Sequence, residues 1–331
     1  MNKARAAITT LFLSTSLVAA FAVPATGETQ AQPLNRVVCD AAQESVGEVP
    51  WRCGVEVGPT RWDGGGRLGD TEVDKAYTFL ASTSRFYKDR FGVSLTELIG
   101  VDHHDGRGKA IRAAVRVCRP NECPQADAFW EVEKQANFGD GSLADDLAAH
   151  ELTHGVIEAV SQLGRQGESE SLREAFADIF GEFADLTDGS ADDTPDVRWQ
   201  FGDGLPGGTF RNLKNPEQFG QPSTYQGKGW WFGGYDYHGV HVNAGPAGKL
   251  AYLITDGDTF NGQTVRGIGL SKAIQLWWAA LKLLPRDAGY RELGNALRDA
   301  CKEKAKQRRS TGFTAGDCVQ TATAIKAVQL P

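Results

Sequence analysis

The stretch AAHELTHGV, residues 148–156, carries two histidines four residues apart, His150 and His154, with Glu151 directly after the first. On an α-helix of about 3.6 residues per turn, both imidazoles lie on one face and can reach one ion. This is the HExxH arrangement, in which two neutral imidazoles bind zinc and the glutamate acts as a base. Because the motif is short, an ordinary helix with polar residues is the alternative interpretation.

A catalytic zinc requires a third protein ligand and one open position for water. The next helical stretch, ESESLREAFADIFGEF at 168–183, places Glu174 and Asp178 four residues apart. Glu174 can bind the metal while Asp178 accepts the N–H of a ligating histidine and fixes its tautomer. An exposed acidic helix face is the alternative.

Spacing separates the classes of zinc hydrolase. A metzincin requires a glycine three residues after His154 and a histidine six residues after it, but these positions hold Ile157 and Val160. An aminopeptidase of the HExxH-x18-E type would have its glutamate ligand where Arg173 stands. The first class is excluded and the second is disfavoured.

Composition describes a globular chain of 331 residues, 41% hydrophobic and 23% charged, long enough for two lobes. Acidic residues number 42 against 35 basic ones. Without Lys3 and Arg5 the excess is about nine negative charges. This balance argues against nucleic acid and anionic membranes as partners and is compatible with bound calcium.

Residues 1–25 read as a signal peptide. Lys3 and Arg5 precede the apolar run LFLSTSLVAAFAV, and small residues allow cleavage after Ala22 or Ala25. The alternative is an uncleaved anchor, although the run is short for a span of roughly 20 residues. No later segment is long and apolar enough to span a membrane. We therefore expect a soluble, secreted, extracellular protein.

The six cysteines form three close pairs in the sequence. In an exported protein an even count favours disulfides, and nearest-neighbour pairing closes the shortest loops. A cysteine metal site is the alternative, but the sequence contains no CxxC. The predicted disulfides join Cys39 to Cys53, Cys118 to Cys123 and Cys301 to Cys318.

Periodicity predicts an α+β fold. Residues 37–70 indicate short strands and turns, and a helix is expected over 71–91, capped by Asp70 or Thr71 and ending at Gly92. Residues 109–118 fit a strand, although their alanines leave this ambiguous. Further helices are predicted over 143–162, 171–186, 244–256, 270–284, 288–308 and 314–329. A mixed β/α N-terminal lobe is thus joined to a mainly helical C-terminal lobe.

Five segments together resemble the thermolysin family of zinc endopeptidases: NFGDG, HELTHGV, REAFADIFGEF, GVHVNAG and KLAYLI. The resemblance extends from about Val73 to the C-terminus. It implies a thermolysin-like zincin fold with the zinc site in a cleft between lobes 26–163 and 164–331. It also implies that His150, His154 and Glu174 bind zinc, that Glu151 is the general base, and that Asp178 orients His150.

Two later segments extend the resemblance. YDYHGVHVNAG is similar to the segment that stabilises the oxyanion, which implies this role for His241 with Asp236 orienting it. His238 stands where the family usually has glycine. FRNLKNPEQFGQPSTY is similar to the arginine-bearing segment, which implies that Arg211 binds a substrate carbonyl. Without the family, a surface histidine and a surface arginine are the simpler interpretations.

The sequence also departs from the family pattern. Asp127, before Ala128 in the AFW segment, replaces an asparagine that both donates to and accepts from substrate; when ionised it only accepts. Arg165 stands at the position of a tyrosine that assists the oxyanion, where it either stabilises charge or points to solvent. The segment before Asp146 is short, and no long pro-segment fits after the signal. Leu147, Phe201 and Phe210 are expected to favour cleavage before hydrophobic residues.

The resemblance further implies one structural calcium ion. Asp146, Asp185 and Asp203 fall on or near the family's calcium carboxylates, and Gln200 replaces one acid. Asp193 or Asp196 would add oxygens toward the roughly six to eight that calcium takes. A solvated acidic loop is the alternative.

The sequence therefore predicts a secreted, monomeric zinc endopeptidase that acts on proteins or peptides and binds neither nucleic acid nor membranes. One alternative is a zinc-binding interaction module with weak catalysis, although such a module has no use for Glu151. The other is a hydrolase of non-peptide amides.

Overall fold

The computed structural model describes residues 33–43, 52–118, 122–130, 134–161, 163–190 and 194–331. The predicted signal peptide, residues 1–25, lies outside these ranges. Within them, no helix combines the length and the apolar character needed to cross a bilayer.

A five-stranded sheet forms the N-terminal part, in the order β2-β1-β3-β5-β4. Strands β1, β3 and β5 run parallel, and the two outer strands, β2 and β4, pair antiparallel to their neighbours. All residues of β3 and β5 are buried, which is typical of central parallel strands. The bounds are β1 Arg36–Asp40, β2 Arg61–Trp62, β3 Ile111–Val115, β4 Ala128–Trp130 and β5 Gln135–Phe138.

Helix α1, Thr71–Phe91, packs against the sheet and begins and ends as predicted. The side chain of Asp70 accepts a hydrogen bond from the backbone N–H of Val73, and Gly92 ends the helix at a φ of 70°. The strand expected over 109–118 is confirmed as β3. A short helix α2, Leu95–Leu98, follows α1.

Helices α3, Asp145–Val160, and α4, Gly167–Asp185, pack along each other at the centre of the molecule. Both are buried over most of their length, so their polar residues lie in the interior. Gly155 allows β4 to lie close to α3, because a Cβ there would stand 2.5 Å from the indole of Trp130. The lobe boundary predicted at residue 163 falls in the loop between these helices and stays a prediction.

The C-terminal part is mainly helical, as predicted, and each predicted helix is present with slightly different ends. A two-stranded hairpin, which the sequence analysis did not predict, lies between α6 and α7. The elements are β6 Gln200–Phe201, β7 Arg211–Asn212, α5 Asp236–Gly239, α6 Gly245–Thr255, β8 Gly257–Phe260, β9 Gln263–Arg266, α7 Leu270–Leu281, α8 Tyr290–Lys306, α9 Arg308–Thr311 and α10 Ala315–Ala327, with 3-10 helices at Pro216–Phe219 and Val242–Ala244.

The three predicted disulfides, Cys39–Cys53, Cys118–Cys123 and Cys301–Cys318, are present. The α+β class is confirmed as well. A sheet flanked by helices in the N-terminal part and a mainly helical C-terminal part meet at the α3–α4 pair, which carries the predicted metal ligands.

Candidate active site

The α3–α4 pair brings together all the predicted zinc-site residues. His150, Glu151 and His154 lie on α3, and Glu174 and Asp178 lie on α4. Each is at most 8% exposed. Buried charged side chains are costly unless they are paired or bind a metal, so this cluster requires compensation.

The donor atoms have the spacing that a tetrahedral zinc requires. His150 Nε2 and His154 Nε2 are 3.1 Å apart, and the Glu174 carboxylate lies 3.5 Å from the first and 3.7 Å from the second. Tetrahedral bonds of about 2.0–2.1 Å put neighbouring ligand atoms roughly 3.4 Å apart. Glu174 Oε2 is buried and forms no hydrogen bond of good geometry, although His241 Nε2 lies 3.2 Å from it. These three residues therefore fit the ion.

Glu151 is a second carboxylate near the imidazoles. Its Oε1 lies 3.9 Å from His150 Nε2, and His150, Glu151 and His154 alone form a compact group of donor atoms. The oxygens of Glu174 approach both imidazoles more closely than Glu151 approaches His150, so Glu174 has the better geometry for a third ligand. Burial raises the pKa of Glu151 to about 7, a value that suits a base.

Asp178 connects the metal site to Arg211. Its Oδ1 lies 2.9 Å from His150 Nδ1, and it also forms an ion pair with Arg211. Burial alone would raise the pKa of Asp178, but Arg211 and His150 hold it below its ordinary value. The guanidinium of Arg211 also lies over the rings of Phe201 and Phe210, at 5.2 and 4.9 Å.

His241 faces the metal ligands from the opposite side of the cleft. Its Nε2 lies 3.2 Å from Glu174 Oε2, and its Nδ1 lies 2.5 Å from Asp236 Oδ1. Asp236 also accepts the backbone N–H groups of His241 and Val242. Burial would lower the pKa of His241, but its contacts with Asp236 and Glu174 raise it to about 10. These two contacts favour the protonated imidazole.

The backbone before His241 has left-handed conformations. Asp236, Tyr237 and His238 have φ values of 55°, 47° and 75°. Residues other than glycine rarely adopt such angles, and each costs of order 1–3 kcal/mol. This explains why glycine suits the position of His238, and it indicates that the surrounding contacts hold the turn that orients Asp236.

A cavity of about 430 Å³ lies above these residues. Edge strand β4 forms one wall, while α3, the loop before β7 and His241 form the others. Leu147 and Phe210 line it as expected, and so does Leu205, which the sequence analysis missed; Phe129 and Trp130 of β4 add further apolar surface. The predicted substrate-binding residues on its surface are Asp127, Ala128, Leu147, Arg165, Phe210 and Arg211.

Phe201 is not among the cavity-lining residues, contrary to the expectation that it would contact substrate. It is fully buried, with its ring 5.6 Å from the ring of His150. The alternation along β6 turns its side chain inward, where it supports His150 and Arg211. Leu205, in a glycine-rich loop two residues after Asp203, gave no periodic signal in the sequence.

Arg165 lies at the edge of the cavity and pairs with Glu158. The same carboxylate lies 3.2 Å from Arg173 and accepts a hydrogen bond of 3.4 Å from the indole N–H of Trp130. Glu158 thus ties α4 and β4 to α3. The side chain of Arg165 is 52% exposed, which agrees with the solvent-facing alternative.

A second buried acidic group lies behind the metal site. Asp146 accepts backbone N–H groups from Leu147 and Gly202. Burial raises its pKa to about 7, and Asp203 adds to that shift. Glu182, which the sequence analysis missed, is buried nearby with Oε2 unpartnered, and burial beside Asp146 and Asp203 raises its pKa well above the ordinary value.

The structure gives fewer contacts for the other predicted calcium ligands. Asp185 lies three residues after Glu182 on α4, and therefore on the same helix face. The side chain of Gln200 donates to the backbone carbonyl of Asp196. Asp193 lies outside the described residues. The oxygens of Asp146, Glu182 and Asp203 are the chemical class that calcium binds.

Two family models match the chain. Residues 55–158 match the thermolysin metallopeptidase catalytic domain, and residues 161–322 match the thermolysin metallopeptidase alpha-helical domain.

Among similar proteins, a zinc metalloproteinase of Renibacterium salmoninarum is 43% identical over 320 residues, covering 91% of this chain and 58% of that protein. The thermostable neutral protease NprT of Geobacillus stearothermophilus is 31% identical over 226 residues, covering 64% of this chain and 39% of that protein. The chain thus spans less than two thirds of the length of these relatives.

Among solved structures, the precursor of protealysin, a metalloproteinase from Serratia proteamaculans, has a similar fold. It aligns with a TM-score of 0.66 at 22% identity and covers 90% of this chain and 88% of that one. At this identity the likeness concerns the fold alone.

Proposed function

The chain belongs to the thermolysin family of metallopeptidases, and from that premise we propose that it is a secreted zinc endopeptidase that cuts peptide bonds before hydrophobic residues. One observation carries the proposal. Two imidazole nitrogens 3.1 Å apart and the carboxylate of Glu174 converge beside a second buried carboxylate, Glu151.

His150, His154 and Glu174 would hold the zinc. When bound, zinc polarises the carbonyl to be attacked and lowers the pKa of water. Asp178 would orient the ring of His150 through Nδ1, and Arg211 keeps Asp178 ionised for that task.

Glu151 would move the proton. With a pKa raised to about 7 by burial, it can take a proton from the attacking water and deliver it to the leaving amine. Such general acid–base help is commonly worth roughly 10²–10⁴-fold in rate.

His241 would stabilise the negative charge that develops on the carbonyl oxygen. The contact of Asp236 with its Nδ1 favours the protonated ring, and its Nε2 lies on the side of the proposed zinc ligands, where it can donate. Arg165 contributes to the outer wall of the cleft, paired with Glu158, and has no assigned part in this step.

Substrate would lie extended along β4, since the outer edge of an edge strand offers unpaired N–H and C=O groups to a peptide. Arg211 would donate to a substrate carbonyl. Leu147, Leu205 and Phe210 form an apolar wall of the same cavity, and this supports the preference for a hydrophobic residue after the cut. Asp127, exposed at the start of β4, only accepts when ionised.

We also propose one structural calcium at Asp146, Asp203 and Glu182, with Asp185 on the same face of α4. The unpartnered Oε2 of Glu182 and the raised pKa of Asp146 support a cation there. Export through the signal at 1–25 fits the three disulfides, because such bonds persist in oxidising compartments. A monomeric state remains part of the proposal.

The test is hydrolysis of a quenched peptide library and a denatured protein by the purified chain, with and without a zinc chelator. We expect chelator-sensitive cleavage before hydrophobic residues, reduced about 10³-fold in Glu151→Gln at unchanged zinc stoichiometry. Zinc bound at unit stoichiometry without any cleavage would instead support the interaction module. Cleavage of simple amides but not peptides would support the third alternative.

A further inference from the structure

The loop that carries Asp236 also exposes a group of aromatic side chains that the mechanism does not use. Four residues form what we call the aromatic platform. Their exposed fractions are 42% for Trp231, 76% for Phe232, 76% for Tyr235 and 83% for Tyr237. Aromatic side chains are usually buried, and a group of exposed ones marks an interaction site.

The platform is held in place by contacts below it. The side-chain amide of Asn243 accepts from the backbone N–H of Trp231 at 2.8 Å and donates to its carbonyl at 3.0 Å. Trp230 packs on the rings of Tyr225 and Tyr290, at 5.1 and 5.6 Å. Tyr237 has a left-handed φ of 47°, and its side chain is 83% exposed. These contacts order the loop while its rings stay in solvent.

The platform continues the catalytic cleft. Trp231 packs against Gly239, where a Cβ would stand 2.7 Å from Trp231 Cβ, and Gly239 is two residues before His241. His241 lines the cavity that holds the scissile bond in the proposed function. A polypeptide longer than that cavity can continue over the surface beside His241.

We propose that the aromatic platform is an outer subsite that binds the substrate polypeptide beyond the zinc cleft, with preference for unfolded segments that carry apolar side chains. The inference rests on the proposed peptidase function. Tyr and Trp suit such contacts because they offer large area at low conformational cost. An anionic lipid surface is a poorer occupant, since residues 225–240 contain one lysine, Lys228, and no arginine, and the chain has a net charge of −7.

The test compares Phe232→Ser/Tyr237→Ser with a matched control, Leu283→Ser/Val319→Ser, which removes apolar side chains that are 54% and 60% exposed elsewhere. The ratio of kcat/KM on a twelve-residue peptide to kcat/KM on a four-residue peptide is measured for each. We expect this ratio to fall about tenfold in the platform variant, mainly through KM, and to stay constant in the control. An equal ratio in the two variants would overturn the proposal.

A binding measurement separates this proposal from the peptidase function. In a Glu151→Gln background, fluorescein-labelled, reduced and carboxymethylated lysozyme is titrated with each variant. We expect Kd to rise about tenfold for the platform variant alone, and this result would stand even if the wild-type chain cleaved nothing. Equal Kd values would overturn the platform. A platform variant that altered only self-association, or only binding to phosphatidylserine vesicles, would also overturn the proposal.

Discussion

The floor of the cleft and its rim differ in burial and in what their side chains can do. The floor consists of His150, Glu151, His154, Glu174 and Asp178, all at most 8% exposed, and the pKa of each is shifted from its ordinary value by burial and by neighbouring charges. The rim consists of β4 and the aromatic platform, where Tyr237 is 83% exposed. Changes in the floor should therefore affect chemistry and metal binding, whereas changes in the rim should affect selection of substrate.

The largest effect is expected where the floor holds a ligand in place. Asp178→Asn removes the charge beside His150 Nδ1 and leaves Arg211 unpaired. Zinc affinity should fall about 10–100-fold, as is usual for such partners. Competition with a chelator measures this, and Asp299→Asn on the exposed face of α8 is the control. Unchanged affinity with normal folding would show that Asp178 has no part in holding the metal site.

A smaller effect is expected at the boundary between floor and rim. Asp236→Asn removes the main contact that raises the pKa of His241 to about 10. His241 would then lose its proton at lower pH, so the alkaline limb of kcat/KM should move down by at least one unit. At neutral pH kcat/KM should fall about tenfold, less than the loss of a whole oxyanion donor. If the alkaline limb did not move, a group other than His241 would control it.

Behind the floor, the acidic group of Asp146 and Glu182 should govern stability. The folded pKa of Asp146, about 7, lies above its unfolded value. The contribution of Asp146 to the free energy of unfolding is therefore fully present below its unfolded pKa. It is lost as the pH rises through the folded pKa of about 7.

In calcium-free buffer we expect Tm to fall as pH rises from about 4 to about 7. The fall should be roughly 2–4 °C for each kcal/mol by which the free energy of unfolding decreases. Calcium should restore it, and Glu182→Gln should diminish that gain. A Tm that does not respond to calcium at pH 7 would contradict the site.

The smallest effect is expected at the rim. Asp127→Asn supplies a donor to the substrate backbone, and KM should fall about threefold, within the roughly 0.5–1.5 kcal/mol of one hydrogen bond. The effect should appear in KM at constant kcat. A change in kcat alone would place Asp127 in the chemistry, where its charge contributes to the raised pKa of Glu151.

The same contrast explains what the sequence could predict. The floor was predictable because i,i+4 spacing on two helices fixes which residues share a face, and the histidine and carboxylate ligands of zinc are few. Glu182 was missed because the sequence alone does not distinguish a buried acidic residue on a helix from a solvent-exposed one. Phe201 was misassigned because a two-residue strand carries too little periodicity to tell inside from outside.

The rim was less predictable for a related reason. Loop 229–238 combines glycines with aromatics in no regular period, and its form depends on Asn243, which lies beyond it in the chain. The β8–β9 hairpin was overlooked because its four-residue strands show only weak alternation.

The strand order of the sheet makes the position of the β4 wall depend on segments that are far apart in the chain. Strand β4 pairs with β5, β5 with β3, and β3 with β1, which lies on the other side of α1 in the chain. Strand β4 also packs on α3 through Trp130. Parallel pairings between distant segments form slowly, because the loop between them must close first. The wall along which substrate would lie is therefore complete only when these distant pairings have formed. Under the proposed function, a chain in which these pairings had not formed would hold the metal-binding helices without a complete wall for substrate.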